Sequence, residues 1–148
     1  MNDEYWIQQA LRLAQKAEAA SEVPVGAVIV KDGELIAEGW NQPISAHDPT
    51  AHAEVMSLRE AGEKLGNYRL LDTELYVTLE PCPMCVGAML HARVKRVIYA
   101  ATDPKTGALG GAYDLLNSVA HNHAFEVTSG VLEAQSREML QQFFRGRR

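Results

Sequence analysis

The sequence predicts an α/β fold, a three-layer α/β/α sandwich built on a five-stranded mixed sheet. Three observations lead to this prediction: apolar residues at helical spacing near the start of the chain, two strands joined by a tight turn, and later apolar runs separated by helical segments. Strands that alternate with helices form a sheet covered on both faces. The 148 residues, 47% of them hydrophobic, suffice for a single domain spanning residues 1–148.

The first half of the chain predicts a helix, a hairpin and a second helix. Trp6 and Leu13 lie at helical spacing, and Pro24 interrupts the helical pattern. Asp32-Gly33 between two apolar runs is typical of a tight hairpin. A polar stretch with two prolines predicts a loop before the next helix, whose first turn would hold His52. The expected elements are a helix over 3–20, strands over 25–30 and 35–39, a loop over 41–49 and a helix over about 50–64.

The second half predicts a strand-helix-strand unit. The apolar runs Leu75–Leu79 and Val97–Ala101 indicate strands, and the segment Cys82–Ala92 between them is apolar enough for a helix packed on a sheet. Such a crossover is right-handed and joins parallel strands. Cys82 and Cys85 would lie in the first turn of the connecting helix. The remaining segments are a glycine-containing loop over 103–111, an ambiguous stretch over 112–123 with a short helix and then a loop, a fifth strand near 125–128 and a closing helix over 132–145.

Composition and charge exclude several classes of protein. No run of 18 or more apolar residues occurs and no secretion signal opens the chain, so we expect a soluble protein that does not associate with membranes. Two cysteines are too few for a disulfide framework, which favours the cytoplasm. The formal charge of -5 opposes a general affinity for nucleic acid, so binding would need a local basic patch. The candidate positions are Arg93, Lys95, Arg96, Lys105, Arg145, Arg147 and Arg148.

Two short motifs carry the candidate chemistry. His52-Ala53-Glu54 and Pro81-Cys82-Pro83-Met84-Cys85 each open a predicted helix. Each motif alone is a weak signal, since Cys-x-x-Cys also serves redox dithiols and disulfides. Together they match the pattern of zinc-dependent deaminases. Residues three apart at a helix start lie nearly above one another, so Cys82 and Cys85 can bind one zinc ion, with His52 as the third ligand and water in the open fourth position.

Glu54 is the candidate proton shuttle. A zinc ion with two thiolates and a neutral imidazole has no net charge, so it acidifies its bound water less than a three-histidine site does and a nearby base is needed. Glu54 would take a proton from this zinc-bound water, the nucleophile, and return protons to the ring nitrogen and the departing ammonia. Two other uses of the cysteines are less consistent with the sequence. A redox dithiol would follow the first strands of a different topology, and a structural zinc site would need a fourth thiol or imidazole, which the sequence does not supply at ligand spacing. We expect His91 to be a packing or interface residue, and leave the roles of His47, His121 and His123 open.

Longer blocks of the sequence resemble the bacterial tRNA-specific adenosine deaminases over nearly the whole chain. The blocks are Val23–Ala27, Gly39–Asn41, His47–Glu54, Asn67–Leu70, Leu75–Cys82, Asp103–Ala108 and Phe143–Arg145. They are more specific than the zinc motif, which cytidine and guanine deaminases share. The resemblance implies a cytidine deaminase-like fold and hydrolysis of adenosine to inosine at the wobble position of a tRNA anticodon stem-loop, by a homodimer. Two other functions stay open: a deaminase of free bases or nucleosides such as guanine or cytosine, and a non-catalytic RNA-binding subunit.

The resemblance also implies contacts with the RNA. Asn41 would hydrogen-bond the flipped base, the Ala53 backbone would help to fix it, and Val25 would lie against it. Structural roles remain open for the same residues: Asn41 could cap a loop, Val25 could belong to the core, and Arg145 could complement the dipole of the last helix. The residues that would contact neighbouring nucleotides are Asp103 and Lys105, in the 103–107 loop, and Arg145.

Overall fold

The computed structural model describes residues 1–118 and 120–147. These residues form a five-stranded mixed sheet with helices, which confirms the predicted α/β sandwich. None of the helices in these two ranges combines the length and the apolar composition that crossing a membrane requires. The elements in chain order are α1 Asp3–Ala19, β1 Gly26–Lys31, β2 Glu34–Trp40, α2 Pro43–Ala46, α3 Ala53–Leu65, β3 Thr73–Leu79, α4 Pro83–Ala92, β4 Arg96–Ala101, α5 Leu115–Ser118, β5 Glu126–Thr128 and α6 Glu133–Arg145.

The sheet order is β2-β1-β3-β4-β5. β1 is antiparallel to both β2 and β3, whereas β3, β4 and β5 run parallel. The predicted parallel strand-helix-strand unit is therefore confirmed. Because β3 and β4 run in the same direction, the segments that follow Leu79 and Ala101 leave the sheet at the same edge, and the Glu80 N–H donates to the Ala101 carbonyl there at 2.8 Å.

Helices cover both faces of the sheet because successive strand residues point to opposite sides. Val28 of β1 belongs to a core cluster with Ile7 of α1. Its neighbour Ile29 belongs to the second cluster, with Ala61 of α3 and Met89 of α4. The N-termini of α3 and α4 lie near the edge of the sheet at which β3 and β4 end.

The two motif-bearing helices begin slightly later than expected. His52 is the N-cap of α3 and Cys82 is the N-cap of α4, both with extended backbone, so the prediction that these two residues lie in a first helical turn is wrong by one position. The Asp48 carboxylate accepts hydrogen bonds from the Thr50 N–H (2.8 Å) and hydroxyl (2.7 Å), which keeps this segment in a turn instead of a helix. Pro83 occupies the first position of α4, where its restricted φ suits a helix start.

The segment expected to be a loop over residues 41–49 contains the single-turn helix α2. Glu22, 2% exposed, accepts hydrogen bonds from the backbone N–H groups of Ile44 (3.2 Å) and Ser45 (2.7 Å), and so satisfies donors that a helix N-terminus leaves unpaired. The ambiguous stretch over 112–123 contains the short helix α5. Val119, in the expected loop, and Arg148, in the C-terminal basic cluster, lie outside the described residues.

One of the candidate basic residues, Arg96, is used inside the fold. Arg96, at the start of β4, donates to Asp3 at 2.7 Å and 3.0 Å and to Glu74 at 3.0 Å. Its hydrogen bond holds the pKa of the Asp3 carboxyl below the usual value. Arg96 therefore ties α1 to the sheet at the end opposite the candidate site, and its charge is not available to a nucleic acid at that site.

Candidate active site

Three predicted ligands converge where α3 and α4 begin. The His52 Nδ1 atom lies 3.6 Å from the Cys82 Sγ atom and 3.5 Å from the Cys85 Sγ atom, and the three atoms all lie within 4.8 Å of one another. A tetrahedral zinc ion about 2.0 Å from an imidazole nitrogen and about 2.3 Å from a thiolate sulfur holds the two ligand atoms about 3.5 Å apart. The donor set and its spacing therefore fit zinc.

The two cysteines differ in their electrostatics, and Cys82 is the one shifted toward the thiolate that binds a cation. Hydrogen bonds lower the pKa of Cys82 to about 4. The bond with Cys85 has the largest effect, and a further bond with His52 acts in the same direction. The hydrogen bond between His52 and Cys82 raises the pKa of His52. A separate hydrogen bond between Cys85 and Cys82, together with burial, raises the pKa of Cys85. The helix N-termini favour negative charge at this point, and a bound cation would favour both thiolates and a neutral imidazole.

Glu54 lies beside the ligand cluster in the first turn of α3 and is 4% exposed. Burial raises the pKa of this carboxyl to about 7, and Cys85 is a hydrogen-bond partner of its side chain. A buried carboxyl next to a metal site can accept and return a proton without moving far. The spacing between His52 and Glu54 is compatible with this convergence because His52 precedes the helix instead of lying within it.

A cavity of about 190 Å³ opens onto two of the three predicted ligands, His52 and Cys82, and onto Glu54. Four predicted site residues from distant parts of the chain line it: His52, Glu54, Cys82 and Asp103. The two predicted base contacts, Val25 and Asn41, lie in its wall. The Asn41 N–H donates to the Val25 carbonyl at 3.0 Å, which joins these two segments. Ala53 is fully buried and lies outside the cavity lining. The lining residues are Val23, Val25, Asn41, His52, Glu54, Leu79, Glu80, Cys82, Asp103 and Thr106.

A larger groove of about 1090 Å³ adjoins this cavity and shares Asp103 and Thr106 with it. Its basic lining comes from the 103–107 loop and from α6 and the residues after it, and the exposed ring of Phe144 adds an aromatic surface. The basic residues are Lys105, Arg137, Arg145 and Arg147. The Asp103 carboxylate accepts hydrogen bonds from the Lys105 N–H (2.9 Å) and the Thr106 hydroxyl (2.8 Å), so it shapes the turn that presents Lys105.

The four remaining histidines lie outside this cavity. His121 and His123 bond through Nε2 to the backbone carbonyls of Leu115 (2.7 Å) and Val94 (2.8 Å), which gives both a structural role. His91 is exposed and lines an apolar groove between α3 and α4. His47 has a left-handed backbone and ends α2.

Sequence reasoning missed two buried carboxylates, Glu22 and Glu80, which are 2% and 3% exposed. Glu22 accepts hydrogen bonds from the backbone of α2, and Glu80 accepts them from the backbone of the 103–111 loop. The available signal was an acidic residue next to or near a proline: Glu22 lies two residues before Pro24, and Glu80 lies directly before Pro81.

The fold and the ligand cluster define a zinc-binding deaminase domain, and comparison with known proteins agrees. The family model described as the cytidine and deoxycytidylate deaminase zinc-binding region matches residues 1–101. A relative from Haemophilus influenzae named tRNA-specific adenosine deaminase is 52% identical over 99% of this chain and 85% of its own length. A relative of the same name from Bacillus subtilis is 47% identical over 97% of this chain and 89% of its own length.

A solved structure from a study of A-to-I editing by tRNA:A34 deaminases at the wobble position of transfer RNA superimposes with a TM-score of 0.86. It is 44% identical, and the match covers 92% of this chain and 99% of that one. The chain belongs to the tRNA-specific adenosine deaminase family, within the zinc-binding deaminases.

Proposed function

We propose that the protein hydrolyses adenosine to inosine at the wobble position of a tRNA anticodon and releases ammonia. The observation that carries this proposal is the cavity in which His52, Cys82 and the buried Glu54 face the walls supplied by Val25 and Asn41. The relatives named tRNA-specific adenosine deaminase, one of them 52% identical over 99% of this chain, support adenosine in tRNA as the substrate.

His52, Cys82 and Cys85 would hold the zinc ion, which when bound supplies an acidified water molecule at neutral pH. The Glu54 carboxylate is buried next to these ligands. There it would accept a proton from the attacking water molecule and donate it to the ring nitrogen beside the amino-bearing carbon. It would then accept the remaining proton of that water from the new hydroxyl group on this carbon and deliver it to the amino group, which leaves as ammonia. The nearly closed surroundings of Glu54 keep bulk water from competing for these transfers.

The walls of the cavity would select and hold the base. Val25, 7% exposed, presents an apolar surface for the ring, and the Asn41 side chain supplies both a donor and an acceptor for the base edge. Ala53 lies between two lining residues, His52 and Glu54, so its backbone would help to fix the base without lining the cavity itself. Nucleotides on either side of the flipped base would lie in the adjoining groove, where Lys105 and Arg145 neutralise phosphates and Phe144 offers a stacking surface.

A homodimer formed through α3 and α4 is part of the proposal. The groove between these helices is lined by Val55, Leu58 and Tyr68, and the Tyr68 side chain is 71% exposed. An apolar groove beside a large exposed aromatic ring is suited to a self-complementary contact. Sedimentation equilibrium should give a molecular mass of twice that of the chain. In the Tyr68→Asp variant the measured mass should fall to that of a single chain.

The whole chain, residues 1–148, would act as one deaminase domain in the cytoplasm. The cysteines that bind the metal, Cys82 and Cys85, are both free thiols. A reducing compartment keeps such thiols available to zinc.

The test is to incubate the zinc-loaded protein with an anticodon stem-loop that carries adenosine at the wobble position, and separately with guanine, cytosine and adenosine. Ammonia release and sequencing of the RNA for inosine are the two readouts. We expect inosine at that one position, and a stem-loop with guanosine there is the matched control. Ammonia from a free compound alone would overturn the proposal in favour of a free-base deaminase, and zinc-dependent RNA binding without ammonia would indicate a non-catalytic subunit.

A further inference from the structure

Glu80 is a buried carboxylate between the metal site and the 103–111 loop. It follows β3 directly, precedes Pro81 and Cys82, and is 3% exposed. Across residues 1–118 and 120–147, none of the ion pairs formed by lysine or arginine includes Glu80. A buried carboxylate without a cationic partner requires several hydrogen-bond donors, because burial without them is strongly unfavourable.

The donors come from the backbone of a single loop. The Glu80 Oε1 atom accepts a hydrogen bond from the Asp103 N–H, and the Oε2 atom accepts from the Leu109 and Gly111 N–H groups, each at 2.9 Å. The Ala108 N–H also donates to the Pro81 carbonyl at 2.8 Å. The loop is therefore folded around the segment that carries Cys82.

Two glycines leave the space that this arrangement needs. A Cβ atom added at Gly107 would overlap the Glu80 carboxyl group, and so would one added at Gly111. Both residues are partly or fully shielded within the described loop. The close approach of backbone to carboxylate thus depends on Glu80 and on these two residues together.

The loop so held forms part of the substrate cavity and of the basic groove. Asp103 and Thr106 line both, and Lys105 lies between them at the groove surface. The two Glu80 oxygens already accept loop N–H groups, whereas the Glu54 side chain faces the ligand cluster. These contacts therefore separate the two buried glutamates: Glu80 holds the loop, and Glu54 lies at the metal ligands.

We propose that Glu80 is a positioning residue that folds the 103–111 loop into the shape that binds RNA next to the reacting base, and that it takes no part in proton transfer. This inference rests on the proposed function. Glu80→Gln is the direct perturbation: an amide supplies one acceptor oxygen and places N–H groups against at least one backbone donor. Glu63→Gln, at an exposed position in α3, is the matched control.

In steady-state deamination of the stem-loop, Glu80→Gln should raise KM by roughly tenfold or more, since a hydrogen bond to a buried charge is lost. The value of kcat should change much less, and zinc content should equal that of the wild type. Gly107→Ala should raise KM in the same way, and its effect should not add to that of Glu80→Gln because both act through one contact. The Glu63→Gln control should leave KM unchanged.

Amide hydrogen exchange measured by NMR gives a readout that is independent of activity. In zinc-loaded Glu80→Gln the N–H groups of Asp103, Leu109 and Gly111 should exchange at least about tenfold faster than in the wild type. Unchanged KM or unchanged exchange would overturn the inference, as would loss of zinc or a fall in kcat at constant KM. If the wild type does not deaminate the stem-loop, the proposed function fails, and the exchange measurement alone decides whether Glu80 shapes the loop.

Discussion

Replacement of Glu54 by glutamine tests the assignment of the proton shuttle. The side chain keeps its shape but can no longer accept and return a proton. The other two carboxylates in the cavity cannot substitute for it, because Glu80 accepts three backbone N–H groups and Asp103 accepts hydrogen bonds from Lys105 and Thr106. We therefore expect a loss at the upper end of the range for general acid–base catalysis, about 10⁴-fold in kcat, or about 5.5 kcal/mol.

The assay is single-turnover deamination of the anticodon stem-loop, with zinc content and thermal unfolding measured on the same samples. His52, Cys82 and Cys85 are untouched, so zinc content should equal that of the wild type. Since Glu54 is 4% exposed, removing its charge should leave the metal-free protein at least as stable. Turnover within about tenfold of wild type, with zinc retained, would refute the shuttle role. Loss of zinc would make Glu54 a ligand, which also contradicts the assignment.

Three further predictions follow from other contacts. Cys82→Ser should lose zinc and activity together, because a hydroxyl is a poor replacement for a thiolate; zinc analysis after dialysis checks this. Arg96→Met should lower the free energy of unfolding by about 1–3 kcal/mol with kcat unchanged, since Asp3 loses its partner; urea titration measures it, and a large fall in kcat would contradict it. Hydrogen bonds from Ser45 and Ile44 hold the pKa of Glu22 below its usual value of 4.5 against the opposing effect of burial. The stability that Glu22 contributes is therefore present above that pH and is lost as pH falls through the folded-state pKa. The difference in unfolding free energy between wild type and Glu22→Gln should shrink between pH 6 and pH 3, whereas a constant difference would point to shape instead of charge.

The sequence predicted the fold class and the ligand cluster because both depend on short-range patterns. Helical spacing placed α1, and Asp32-Gly33 placed the hairpin within about one residue of its observed position. The helix starts were less accurate at His52 and Cys82, because a turn held by Asp48 and a proline at position 83 decided them. Contacts of this kind shift the start of a helix by one or two residues, and hydrophobic periodicity does not locate a helix start that closely.

The sequence indicated what kind of chemistry the site performs, but it did not show how close its residues lie to one another. The residue types His, Cys and Cys near a glutamate indicated a zinc-dependent hydrolytic site, and the geometry then showed that their ligand atoms lie within 4.8 Å. Charge alone did not distinguish the basic residues, since Arg96 and Lys105 were both candidates for a basic patch and only the family resemblance singled out Lys105. In the structure Arg96 is paired with Asp3 at the far end of β4, whereas Lys105 lines the groove.

By itself the sequence determined the order of the strands and of the helices other than the single-turn α2, the three candidate metal ligands and the family, since each is encoded within segments of a few residues or in blocks of matching sequence. Only the tertiary structure decided that Glu80 accepts backbone N–H groups of the 103–111 loop and that Glu22 accepts those of α2. These contacts join residues 22 to 31 positions apart. Which strand ends and loops meet depends on strand order and direction in the sheet, and a buried carboxylate finds its donors only after the sheet has brought those loops together.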